Sequence, residues 1–179
     1  MMQDSLVDGG AQAQPRRLLT LVNIALARLG TVIAVIGLMS IVGIVFYEVV
    51  GRYVFNQTPT WAESLALVLV LYVTMLGAAV AVRDAGHIGM DSVVILLPLH
   101  VQRWFEILIH ILVAGFGASM AYNGWVLGMS VSTYAIPNLG LPEIVRYVPL
   151  SLSGCLIVLF SVEHTLALLR HEEVEPTWN

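Results

Sequence analysis

His110 and His164 are the side chains whose type and placement come nearest to a chemical site. Both lie in apolar stretches. Two histidines at matching depth on neighbouring helices can ligate haem, which would make this chain the membrane anchor of a redox complex. The simpler reading is a boundary histidine satisfied by a backbone carbonyl or by the headgroup layer. A second group is Glu48, Arg52, Trp61 and Glu63, which a short connection brings together. Glu48 and Arg52 are four apart with the acid first, so on a continuous helix they face each other in the favourable sense. Three readings are open for this group: an ion pair that fixes two helix ends, a docking surface for another protein, and proton coupling in a small self-sufficient exporter. The acids lie at span ends rather than at mid-depth, which ranks the exporter last. No nucleophile stands beside a base, so no enzyme is implied, and the leading reading needs no cofactor.

The elements that must carry these residues are membrane helices. Leu29 to Tyr47 and Ser64 to Val82 each run 19 residues without a charge, and Ile111 to Tyr134 runs 24. Tyr147 to Leu169 is interrupted only by Glu163 and His164. About 20 apolar residues cross a bilayer core of about 30 Å. The pattern predicts an all-α, integral membrane four-helix bundle, with spans at about 29–50, 61–83, 104–134 and 143–169. Residues 1–17 and 171–179 read as tails, the first of them mobile, flanking a transmembrane domain over 18–170. The first run is too long for a signal-peptide core and ends in Tyr47, Glu48 and Arg52 rather than a small-residue cleavage site, so it reads as a retained helix.

Composition agrees. The 179 residues are 58% hydrophobic and 11% charged, with a mean hydropathy of +0.86, far from the quarter or so of charged residues in soluble domains. Twelve acids oppose eight arginines, and there is no lysine, so no nucleic-acid footprint exists. The single Cys155 rules out an internal disulfide.

Between the spans, Thr60 reads as an N-cap with Glu63 completing a capping box. Met90 to His100 is apolar but too short to span, which predicts an interfacial segment between helices two and three. Trp104 reads as an interfacial anchor. Pro142 suits the first turn of helix four, and Pro149 predicts a bend near its start. Arg16, Arg17, Arg28, Arg83, Arg103 and Arg170 fall on one side, and Arg52 and Arg146 on the other, so the positive-inside rule puts both termini in the cytoplasm.

Gly117-x-x-x-Ala121 and Gly124-x-x-x-Gly128 put small residues on one face of span three, where a helix can approach closely. The neighbour is either another helix of this chain or a partner subunit. Gly37, Gly43, Gly77 and Gly154 read the same way. No span carries a central charge, a mid-depth Gly/Pro break or an inverted repeat, the marks of a transport pathway.

The string Glu48-Val-Val-Gly51-Arg52-Tyr53-Val-Phe55, then Trp61-Ala-Glu63, Gly77 and Arg83 through His87, resembles the signature region of the small membrane subunit of TRAP transporters, the DctQ-type family. Pro142, Tyr147, Pro149 and Gly154 are similar to the family's last-helix pattern. The chain departs at Trp61-Ala-Glu63, where many relatives carry a second acid. The resemblance implies the small accessory subunit of a sodium-driven importer of small organic acids in the bacterial inner membrane. It further implies two protein partners, a large membrane subunit that carries the substrate and sodium sites, and a periplasmic substrate-binding protein that docks transiently. Glu48, Arg52, Tyr53, Trp61, Glu63, Arg83, Pro142 and Pro149 are then partner-facing or structural residues.

Overall fold

The computed structural model describes residues 14–57, 59–84 and 99–170, with side chains described from Thr20 onward and again from Trp104 to Leu169. Helix α1 is Gln14–Tyr53, α2 is Thr60–Asp84, α3 is Leu99–Ser130 and α4 is Val148–Arg170, with a 3₁₀ turn at Glu143–Arg146 ahead of α4. All four contain segments long and apolar enough to cross a membrane.

Several bounds differ from the hydropathy reading, for local reasons. Helix α1 begins at Gln14, well ahead of Leu29 and inside the stretch read as a tail, because an arginine such as Arg28 does not interrupt a helix, its long stem carrying the charge away from the helix axis. Helix α3 stops at Ser130, and Val131 to Tyr134 form turns. Helix α2 includes Thr60 in its first turn rather than ahead of it. Pro142 caps the 3₁₀ turn instead of opening α4. Pro149 is the second residue of α4, where the missing N–H has no intrahelical partner to lose, so no bend is needed. Most of the proposed interfacial segment lies outside the described residues, and its last two, Leu99 and His100, already belong to α3.

The helices pack in a row. Helix α3 lies along α4, α4 along α2, and α2 along α1, while α1 reaches α4 only over a short stretch. Central α4 has 39% of its most apolar window buried, against 6% for α1. The core sits where α1, α2 and α4 meet, toward the chain ends: Ala27, Leu76, Ala79, Leu156, Ile157 and Phe160. Lipid is as apolar as these side chains, so close packing rather than hydrophobic exclusion must hold the row together.

The tightest seam is between α3 and α4. A Cβ built on Gly154 would lie 2.5 Å from the Ala121 nitrogen and 2.6 Å from the Gly117 oxygen. Gly124 meets Ser151 at 2.7 Å, and Gly128 meets Ile144 and Tyr147 at 3.2 Å, so both small-residue motifs serve packing inside the chain. Gly37 does the same against Val73 at 2.6 Å, whereas Gly43 and Gly77 have nothing within 4 Å and do not join the seams expected of them.

At the end of the row opposite the termini, the α3–α4 link folds back through an Ala135–Pro142 bridge. Asn138 and Gly140 turn it with φ of 66° and 67°. Ile136 is buried beneath this turn. The Tyr72 hydroxyl donates to the Val145 carbonyl at 3.1 Å and fastens the link to α2.

Candidate functional site

Helix periodicity places Glu48 and Arg52 one turn apart at the end of α1, and their side chains meet at 2.9 Å. Trp61, in the first turn of α2, packs on Tyr47 with ring centroids 6.0 Å apart. Glu63 and Tyr53 are exposed beside them. The structure therefore brings Glu48, Arg52 and Trp61 to the α1–α2 link, while Glu143 and Arg146 form a second, half-buried pair at 3.2 Å in the other link. With an exposure of 53% for Arg52 and 17% for Glu48, the first pair is worth only about 0.3–0.5 kcal/mol to the chain itself. Arg52→Glu is thus expected to leave the melting temperature of the purified chain unchanged within about 1–2 °C. A lower yield of a complex with this variant would then report on docking rather than folding.

The second polar site is buried, and only part of it was visible in the pattern. Arg83 in the last turn of α2 has a fully buried side chain. Its Nε lies 3.6 Å from Glu163 Oε2 on α4, its Nη1 lies 3.8 Å from Asp84, and its guanidinium sits 6.0 Å from the Phe160 ring centroid. Asn23 on α1 donates to the same Glu163 oxygen at 2.8 Å. Three helices thus converge on one carboxylate, whose Oε1 is buried without a hydrogen-bond partner. About 33 Å of helical rise separates Trp61 from Arg83, so these two polar sites bracket the bilayer core.

His164 and His110 join the buried site. His164 Nε2 donates to the Arg83 carbonyl at 2.8 Å, taking up one of the acceptors that the last turn of α2 leaves open. This is the carbonyl-bound boundary histidine foreseen above. The His110 ring stacks on it with centroids 4.8 Å apart and an interplanar angle of 4°. Axial haem ligation needs two ring edges aimed at one iron from opposite sides, whereas here the rings face each other and one Nε2 is engaged by a carbonyl, so the pair does not fit haem. Among the described residues no group of three or more His, Cys, Asp or Glu side chains could hold a metal. Asn23 and Glu163 were missed as partners because their contact depends on which helices are neighbours. A carboxylate inside an otherwise apolar span was the available signal.

Residues 41–171 match the family of tripartite ATP-independent periplasmic transporters, DctQ component. The chain belongs to this family. It is a membrane subunit of the TRAP small-permease type, not an enzyme. Among relatives, it is 35% identical over 75 residues to the sialic acid TRAP transporter permease protein SiaT of Haemophilus influenzae, covering 42% of this chain and 12% of that one. It is 28% identical over 105 residues to the C4-dicarboxylate TRAP transporter small permease protein DctQ of Rhodobacter capsulatus, covering 54% and 44%. A putative TRAP transporter small permease protein of H. influenzae is 23% identical over 133 residues, covering 73% and 81%. The match with the first two therefore spans less than half of their length. In this DctQ-family chain, the signature string runs from the exposed Glu48–Arg52 pair to the buried Arg83, so it joins the two polar ends of the α1–α2 hairpin.

Proposed function

We propose that this chain is the accessory subunit of a sodium-driven TRAP importer of small organic acids or related solutes, binding and steadying the large transport subunit in the bacterial inner membrane with both termini in the cytoplasm. One observation carries the reading: among the described residues, no charged side chain lies between Arg28 and Glu48, between Glu63 and Arg83, between Glu106 and Ser130, or between Arg146 and Glu163, and the row leaves broad apolar faces exposed along its middle. A substrate anion crossing such a chain would meet no charged partner at mid-bilayer, whereas a neighbouring protein would find extensive surface. The matched stretch of the sialic acid permease is 12% of a single longer permease chain, which supports contact between a segment of this kind and the remaining permease. The names of the relatives support sialic acid or C4-dicarboxylates as the solute class. The periplasmic binding protein is proposed to dock transiently at the end that carries Glu48, Arg52, Tyr53, Trp61 and Glu63, and Pro142 and Pro149 shape the neighbouring link.

The test is reconstitution of the large subunit and its binding protein in liposomes under a sodium gradient, with and without this chain. Uptake is expected to fall at least tenfold without it. Equal uptake in its absence, or uptake by this chain alone, would overturn the reading.

A further inference from the structure

We propose that the groove between α3 and α4, on the side of the membrane that carries the α3–α4 link, holds one acyl chain of a phospholipid whose headgroup meets Glu143 and Arg146. The groove has a volume of about 290 Å³ and is lined by Gly124, Trp125 and Gly128 of α3 and by the stripe from Val148 to Cys155 on α4, with Ile144 at its mouth. No lining residue is charged. The last apolar segment runs Glu143–Leu169, which places Cys155 near its middle. The groove therefore spans one leaflet, from the headgroup end to mid-depth.

Shape and charge select this occupant. Gly124 and Gly128 bring α3 close against α4 and leave the floor of the groove without side chains there. Trp125 and Leu152, 63% and 50% exposed, stand as its rims. From Val148 to Cys155 the groove follows α4 for about 11 Å, which gives it a mean width of about 6 Å, against about 10 Å for a helix. A third helix, from a partner or from a second copy, would ride on the rims, and its side chains would cross the groove rather than fill its length. An acyl chain is slender and lies along the membrane normal, so it matches both dimensions. At the mouth, Glu143 and Arg146 sit 3.2 Å apart in the same 3₁₀ turn as Ile144. Arg146 gives Nη1 to Glu143, and its remaining N–H groups suit a phosphate, while the Glu143 carboxylate suits an ammonium. A zwitterionic amine phospholipid complements both charges at once.

Cys155 is the chain's single cysteine, exposed at the deep end of the groove, so the unaltered protein carries its own reporter. The full chain in detergent is labelled with an uncharged maleimide, with and without dipalmitoyl phosphatidylethanolamine. The lipid is expected to slow labelling of Cys155 by about fivefold or more. In Cys155→Ser with Leu112→Cys, whose thiol is exposed on α3 outside the groove, the slowing should stay below about twofold. Dipalmitoylglycerol, which has no phosphate, should protect Cys155 less, and Glu143→Gln with Arg146→Gln should erase the difference between the two lipids. Equal slowing at Cys155 and Leu112→Cys would mean bulk lipid only, and equal protection by both lipids on the unaltered chain would remove the headgroup contact; either result overturns the proposal. Protection of Cys155 in the complex with the large subunit that survives delipidation would assign the groove to protein and overturn it as well.

Discussion

Arg83→Leu is expected to destabilise the purified chain by about 3–5 kcal/mol, because it strands the Glu163 carboxylate in a low-dielectric site with Asn23 as its remaining hydrogen-bond donor. Thermal melts in detergent, followed by helical circular dichroism, measure it. The loss is one of charge balance rather than of volume, so Arg83→Leu with Glu163→Leu should recover most of the stability. The His164 contact reaches the Arg83 backbone and survives both substitutions. If the single variant melts no lower than the double, the buried pair does not bind α2 to α4 as described.

Gly154→Val carries the second large effect. Its first added carbon would fall within 2.6 Å of two backbone atoms of α3, which cannot rotate aside as a side-chain tip can. The most extensive seam of the chain must therefore open, at a cost of about 3 kcal/mol. Gly154→Ala should show a smaller loss of the same sign. Gly77→Ala is the control: with open space at its Cβ position, it should be neutral or stabilising by up to about 1 kcal/mol. Equal melting temperatures for Gly154→Ala and Gly77→Ala would contradict the close crossing.

The number of helices was legible because lipid imposes a length rule that any uninterrupted apolar run obeys, and the family from the strings Glu48 to Phe55 and Trp61 to Glu63. The Glu48–Arg52 pair was legible because i,i+4 neighbours on one helix need no tertiary information. Gly117, Gly124 and Gly128 could be read as a seam, but whether the seam was internal depended on α4 lying beside α3. The Asn23–Glu163–Arg83 site depended on the same unknown, since α2 and α4 are adjacent in space and far apart in sequence. Gly43 and Gly77 show the limit of the motif: a small residue permits close approach without saying that anything approaches. Helix α1 extends beyond the charge-free run because a long cationic side chain such as that of Arg28 leaves the helix path intact.

The 40 residues of α1 have a consequence for the membrane itself. At 1.5 Å per residue this helix is about 60 Å long, against about 40–45 Å for a bilayer with its headgroups. Such a rod has to lean, stand proud of the surface, or thicken the lipid beside it. Because α2 is packed along it, any lean is shared, and the angle at which the whole subunit sits becomes a function of how thick the host membrane is.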